Sequence, residues 1–67
     1  MNSVEKLVMM ANQIAANLAC ENDPAGATAE HIRLFWDPRM KAMLAAHGET
    51  GLSPVAIEAL ARINPAG

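Results

Sequence analysis

The segment HIRLFWDPRM, residues His31–Met40, decides how this chain folds, because it ends one helix and begins another. A residue that precedes a proline is driven out of the helical conformation, so the helix before Pro38 ends at Trp36 or Asp37. Asp37 is also a favourable N-cap, and a proline fits the first position of the helix that follows. The segment therefore predicts a sharp bend directly after Phe35 and Trp36, the only phenylalanine and the only tryptophan of the chain.

Upstream of this bend, the chain begins with a helical pattern. Apolar residues recur at intervals of three and four positions along Ser3–Ala19, which predicts a first helix there. Asn2 or Ser3 is expected to cap its first turn. The polar stretch Glu21–Gly26 contains a proline and a glycine, so it is expected to end the helix as a loop.

The remaining helices follow from their start and stop signals, which together predict an all-α fold of three to four short helices. Thr28 is expected to cap the second helix. Ser53 precedes a proline, as Asp37 does, and is expected to be the N-cap of the fourth helix. Gly48 is expected to cap the third helix at its C-terminus, and Asn64-Pro65 to end the fourth. The predicted ranges of these helices are Ala29–Phe35, Pro38–Ala46 and Pro54–Ile63.

The composition predicts a single small domain, residues 1–67, with a thin core. Hydrophobic residues make up 52% of the chain, but many are alanines, which bury little area, and five are methionines. A chain of this length buries only about 60% of the surface that its unfolded form exposes. We therefore expect it to complete its core against a partner.

Charge and hydropathy argue against two classes of function. The net charge is −2 and the basic residues are scattered, whereas nucleic-acid binding requires clustered positive charge. No apolar run approaches the roughly 20 residues of a membrane span, and the N-terminus lacks the pattern of an export signal. Because a single cysteine also fits a reducing compartment, we predict a cytoplasmic protein with neither a nucleic-acid nor a membrane partner.

No catalytic, cofactor-binding or metal-binding residue is predicted for this chain. Most of its hydroxyl-bearing residues are accounted for as helix caps, and no glycine-rich phosphate loop occurs. Cys20 is expected at the C-terminal end of a helix, where a thiolate is disfavoured. Cys20, His31 and His47 are separated by 11 and 16 residues, a spacing that matches no compact metal site. A free-standing metal- or redox-responsive protein that uses these three residues is the alternative function.

Phe35 and Trp36 allow more than one interpretation. Both rings can lie in the core, or Trp36 can anchor in a pocket of a partner beside Arg39. Because adjacent helical residues point about 100° apart, one ring can fill the core while the other faces elsewhere. Arg39 stands in the first turn of its helix, where a cation is unfavourable. Its position suggests an anionic neighbour, either Asp37 or an acid of another chain.

A second surface is predicted on the first helix. Met9 points away from the apolar stripe and shares that side with Ala16 and Cys20, interrupted by the polar Asn12 and Gln13. Such residues form either a face that packs on a partner or a solvated face with scattered small apolar groups. The candidate partner-binding residues of the chain are Met9, Asn12, Gln13, Phe35, Trp36, Asp37, Arg39 and Met40.

Two segments, Met10–Ala15 (MANQIA) and His31–Met40, resemble the delta subunit of cytoplasmic, NAD-dependent, molybdenum-containing formate dehydrogenases. Looser similarity continues through Leu44–His47 and Gly51–Pro54, so the resemblance spans most of the chain. It implies a small accessory subunit of a multisubunit enzyme that oxidises formate to carbon dioxide.

The resemblance also implies that the redox chemistry belongs to other subunits. In such a complex, the alpha subunit carries a molybdenum bis-molybdopterin guanine dinucleotide and iron–sulfur clusters, and separate subunits handle FMN and NAD. No catalytic or cofactor-binding residue carries over to this chain. We therefore expect a non-catalytic subunit that stabilises the complex or assists maturation of the alpha subunit, its expected partner. Whether the isolated chain self-associates stays open.

Overall fold

The computed structural model of the chain describes residues 3–63, which form four helices and no strand. This arrangement confirms the all-α prediction. None of the helices in this part of the chain is long and apolar enough to cross a membrane. The predicted roles of Asn2 and Asn64-Pro65 lie outside the described residues. The helices are α1 (Ser3–Asn17), α2 (Pro24–Phe35), α3 (Pro38–His47) and α4 (Pro54–Ile63).

The start of α2 corrects the prediction from sequence. The helix begins at Pro24, five residues before the predicted Ala29, because Asp23 is its N-cap and accepts a hydrogen bond from the Gly26 amide at 3.2 Å. The proline of the presumed loop therefore starts a helix instead of breaking one. Thr28, the predicted cap, lies inside α2 and is fully buried. The loop between α1 and α2 is correspondingly shorter than expected.

The bend between α2 and α3 forms as predicted. The Asp37 carboxylate accepts a hydrogen bond from the Met40 amide at 2.8 Å, and Pro38 occupies the first position of α3. At the other end of α3, Gly48 has φ +86° and its N–H donates to the Leu44 carbonyl at 3.2 Å. That backbone conformation favours glycine, so α3 stops there.

The core is built around three large side chains among many small ones. Ile32, Trp36 and Leu44 are almost completely buried and come from α2, the bend and α3. Alanines between them allow the helices to approach closely, and α2 packs most extensively against α4. The large residues supply most of the apolar volume. The core cluster comprises Leu7, Ala11, Ala15, Ile32, Trp36, Leu44, Leu52 and Ala56.

Asn12 fixes the loop between α3 and α4 against α1. Its side-chain amide donates to the Gly51 carbonyl at 2.9 Å, and its Oδ1 accepts from the Ser53 amide at 2.8 Å. The loop can present both groups because Gly51 has φ +82°, a conformation that other residues rarely adopt. The Ser53 hydroxyl in turn accepts from the Ala56 amide at 3.3 Å, which confirms the predicted cap of α4.

A charged cluster joins the end of α4 to the start of α2. The Arg62 guanidinium donates to the Asp23 carboxylate at 2.6 Å and also pairs with Glu58 one turn earlier. The hydrogen bond from Arg62, helped by the Gly26 amide, holds the pKa of the Asp23 carboxyl below its usual range. A side chain at Gly26 would collide with both Asp23 and Arg62, so the cluster also explains this glycine.

Thr28 supplies a test of the packing between helices. Its hydroxyl is buried, and no hydrogen-bond partner for it lies within residues 3–63. Thr28→Val keeps the shape and removes the unsatisfied group, so we expect the free energy of unfolding to rise by about 1 kcal/mol. Thr28→Ser, which keeps the hydroxyl and loses the methyl, should lower it by about 1 kcal/mol. Urea denaturation measures both, and a destabilised Thr28→Val variant would contradict this account of the site.

Candidate partner-binding groove

Phe35 and Trp36 are adjacent in sequence, but one side chain is exposed and the other is buried. Trp36 is 5% exposed and belongs to the core cluster, whereas Phe35 is 72% exposed. Trp36 is the C-cap of α2 with an extended backbone, so its side chain leaves the helical face on which Phe35 lies. This is the arrangement in which one ring fills the core and the other faces elsewhere: Trp36 is the buried ring and Phe35 the exposed one.

The interpretation of Trp36 as an anchor in a partner's pocket needs correction. A side chain that is almost fully covered by its own chain has no surface left to insert into another protein. The exposed aromatic ring is that of Phe35. Any aromatic anchor that this segment offers to a partner is therefore Phe35, and Trp36 contributes by holding the segment in place.

An open groove of about 460 Å³ lies beside the Phe35 ring; we call it the Phe35 groove. Residues from α1, α2 and α3 contribute to it, and its lining is mainly apolar. Gln13, Phe35, Trp36 and Met40 were predicted from sequence as candidate partner-binding residues, and all four line the groove. The complete lining is Met10, Gln13, Ile14, His31, Phe35, Trp36 and Met40.

The Phe35 ring is supported from one side by His31. The two residues are four positions apart on α2, and their ring centroids are 4.7 Å apart with the planes tilted by 39°. This contact restricts the rotamers of an otherwise exposed side chain. A restricted ring loses less conformational entropy on binding than a free one, which favours its use as a contact residue.

The other predicted residues lie outside the groove lining. Met9 is 63% exposed, and the structure leaves its predicted role untested. The Asn12 side-chain amide donates one hydrogen bond to the loop between α3 and α4 and accepts one from it. The Asp37 carboxylate caps α3. Arg39 is exposed and forms no ion pair within residues 3–63, with Asp37 or any other acid.

The three residues of the alternative metal-site hypothesis do not converge. No group of three potential metal ligands occurs in the described part of the chain, which includes Cys20, His31 and His47. His31 contacts Phe35, whereas the His47 Nε2 lies 3.0 Å from the Thr50 carbonyl oxygen. Cys20 is exposed in the turn after α1.

A second concavity of about 450 Å³ lies between α3 and α4 and has a different chemical character. Two basic residues line it, and the Lys41 ammonium donates to the Arg33 carbonyl at 3.4 Å. The Arg33 guanidinium pairs with Glu30. Its remaining lining residues are Pro38, Ala42, Ala45, Leu60 and Ile63. This cleft provides a surface of similar size with which variants of the Phe35 groove can be compared.

A comparison with protein families identifies the chain. The family model described as "NADH-dependant formate dehydrogenase delta subunit FdsD" matches residues 6–60 of the 67. The chain belongs to the FdsD family. All residues that line the Phe35 groove fall within the matched range. No curated protein and no solved structure matches the chain.

Membership of the FdsD family agrees with the absence of predicted catalytic residues. The family description is that of a delta subunit of a formate dehydrogenase, so other subunits of such a complex are the partners that it implies. The resemblance carried by Met10–Ala15 and His31–Met40 is confirmed.

The contrast between the two aromatic residues is testable by stability measurements. Trp36→Ala removes the largest core side chain, and we expect the free energy of unfolding to fall by about 3 kcal/mol or more. Phe35→Ala removes an exposed ring and its contact with His31, so the loss should stay below about 1 kcal/mol. Circular dichroism during urea denaturation measures both changes. Equal destabilisation by the two substitutions would contradict the separation of core and groove.

Proposed function

We propose that this chain is a non-catalytic accessory subunit of an NAD-dependent formate dehydrogenase complex and binds another subunit through the Phe35 groove. The exposure of the Phe35 ring above an apolar groove carries this proposal. Folding of the chain leaves this surface exposed to water, and exposed apolar surfaces of this kind are typical of protein interaction sites. The FdsD match supplies the context, because a delta subunit has other subunits as neighbours.

The residues of the groove are of the types that interfaces favour. Aromatic residues and methionines are enriched at the centres of interfaces, and here Phe35, Met10 and Met40 line the same groove. Methionine side chains adapt to the shape of a partner because they are flexible and polarizable. Gln13 and His31 supply polar groups at the same site. The groove thus combines an apolar floor with a few hydrogen-bonding groups.

The partner in this proposal is the molybdenum-containing alpha subunit. The molybdenum cofactor, iron–sulfur clusters, FMN and NAD are held by other subunits, and this chain acts through the free energy of association. A partner that binds only the folded form of a protein raises the free energy of unfolding of that protein by mass action, and this applies to both proteins of the complex. In this proposal the chain stabilises the assembled complex, and assistance in maturation of the alpha subunit is the competing role.

Loss of the Phe35 ring is expected to release the chain from the complex. Removal of a central aromatic contact typically costs 2 kcal/mol or more, so Phe35→Ala should weaken binding by about 30-fold. The measurement is the stoichiometry of this chain after co-purification with tagged alpha subunit, followed by titration of the purified chain into complex that lacks it.

Leu34→Ala is the matched control. Leu34 is 64% exposed on the same helix, but it does not line the Phe35 groove. The control should therefore co-purify at wild-type stoichiometry. If Phe35→Ala also does so, or if both variants lose binding equally, the Phe35 groove is not the docking surface.

Deletion of the chain separates stabilisation from maturation. We expect the alpha subunit to retain its normal molybdenum content and the amount of assembled complex to fall, because the proposed role is a contact role. Metal analysis and size-exclusion chromatography of the tagged alpha subunit measure the two quantities. Expression of Leu34→Ala should restore assembly and Phe35→Ala should not. An alpha subunit that lacks molybdenum would instead assign the chain to maturation.

A further inference from the structure

A furrow runs between α3 and α4, because α3 packs against α1 and makes little direct contact with α4. It consists of the cleft of about 450 Å³ described above and a neighbouring concavity of about 220 Å³. Ala45 and Leu60 line both concavities, so the two are continuous at these residues. We call the whole the α3–α4 furrow. The second concavity is further lined by Gly48, Glu49, Ile57 and Ala61.

The α3–α4 furrow carries opposite charges at its two ends. Lys41 lines the cleft in the first turn of α3, and Glu49 lines the second concavity just after the helix ends. Eight positions at the rise of a helix correspond to about 12 Å. Lys41 is half-buried, Glu49 is exposed, and neither forms an ion pair within residues 3–63. Arg33, which also lines the cleft, pairs with Glu30.

The positive charge of Lys41 is not compensated by a nearby acid. Its ammonium donates to the Arg33 carbonyl at 3.4 Å, a long hydrogen bond to a neutral group. Asp37, four residues earlier, accepts from the Met40 amide as the N-cap of α3. A cation in the first turn of a helix is also disfavoured by the helix dipole. The charged residues outside the furrow lining are Glu5, Lys6, Glu21, Asp23, Glu30, Asp37, Arg39, Glu58 and Arg62.

We propose that the α3–α4 furrow binds a second copy of this chain in an antiparallel, two-fold symmetric arrangement. In such a dimer the same patch occurs on both sides of the interface. A two-fold axis through Ala45 and Leu60 reverses the direction of the furrow, so the basic end of one copy faces the acidic end of the other. Lys41 of each copy then pairs with Glu49 of the other copy. The apolar residues between the two ends are covered at the same time.

The charge pattern selects a second copy because one patch supplies both members of each ion pair. Symmetry makes the pair between Lys41 and Glu49 occur twice, and a parallel arrangement would instead bring like charges together at both ends. A dimer built on one furrow per copy has a small interface, and small interfaces are weak. We expect a dissociation constant of about 10 μM.

The α3–α4 furrow and the Phe35 groove use opposite faces of the same two helices. Arg33 and Phe35 are two residues apart on α2, and Met40 and Ala42 are two residues apart on α3. Each pair is therefore separated by about 160° around its helix. Arg33 and Ala42 line the furrow, whereas Phe35 and Met40 line the groove. A second copy in the furrow leaves the groove open, so this inference does not depend on the proposed function.

A charge swap in the purified chain tests the arrangement. Lys41→Glu and Glu49→Lys each bring like charges together at both ends of the interface, so each variant alone should dimerise about tenfold more weakly at low salt. An equimolar mixture of the two variants should associate like the wild type, because unlike charges then meet at both ends. The variant that carries both substitutions should also dimerise. Sedimentation equilibrium measures these dissociation constants.

Two control variants should dimerise like the wild type. Arg39→Glu changes the net charge by the same amount as Lys41→Glu and lies on the same helix, but outside the furrow lining. Phe35→Ala removes the exposed ring of the Phe35 groove. Circular dichroism of each variant checks that it is folded, and recovery of association in the mixture shows that neither charge variant has lost its interface through misfolding.

The stability of the chain provides a second readout. Association of folded copies stabilises them by mass action, so the urea midpoint should rise as the chain concentration is raised from about 1 to 200 μM. The wild type and the equimolar mixture should show this rise. Lys41→Glu and Glu49→Lys alone should show a smaller rise, because they dimerise more weakly.

Three results would overturn the inference. The first is a wild-type chain that stays monomeric throughout this concentration range. The second is a dimer that Lys41→Glu and Glu49→Lys leave intact, or that both weaken without recovery in the mixture. The third is a dimer that Phe35→Ala dissociates, which would place the second copy in the Phe35 groove. The proposed function is decided separately, by co-purification of Phe35→Ala with the tagged alpha subunit.

Discussion

The burial of Trp36 at the bend between α2 and α3 is the contact on which the rest of the structure depends. Alanines make up part of the core, so its few large side chains, of which Trp36 is the largest, supply most of the apolar area that opposes the entropy of folding. Asp37 and Pro38 end one helix and start the next immediately after it. With Trp36 inside, Phe35 is directed outward by the helical geometry. The constraint that closes the core therefore also creates the exposed wall of the Phe35 groove.

Three of the four helices begin with the same device, an acid or serine followed by a proline. Asp23-Pro24, Asp37-Pro38 and Ser53-Pro54 each provide a side-chain oxygen for an orphan amide and a residue whose backbone already fits a helix. Such starts require few residues, which keeps the loops short. In a chain of 67 residues, short loops leave most positions available for packing.

The sequence predicted the helices that begin at Pro38 and Pro54, because local signals alone decide where they start. It did not predict the start of α2, since a proline and a glycine can either break a helix or begin one. The local signal was present, because Asp23 before Pro24 caps α2 as Asp37 before Pro38 caps α3. Arg62, which is distant in sequence, adds a tertiary contact to the same carboxylate.

The groove residues were likewise predicted where local sequence decides their position and missed where tertiary packing does. The segment around Phe35 and Met40 was recognised as a candidate surface, but its orientation depends on the packing of α1 and α4 against the bend. Met10, Ile14 and His31 were missed as groove residues. The four-residue spacing of His31 and Phe35 on α2 is the signal that could have placed His31 beside the ring.

A thin core and an exposed groove are two consequences of one composition. Alanines bring the helices close together and leave little interior volume, so large side chains such as Phe35 and Met9 remain outside. A partner that covers the Phe35 groove would bury apolar area that the chain cannot bury by itself. Binding free energy then adds to folding free energy, because only the folded chain presents the groove. A small subunit of this kind needs no catalytic group to affect an enzyme, since its own folding and the stability of the assembly are thermodynamically linked.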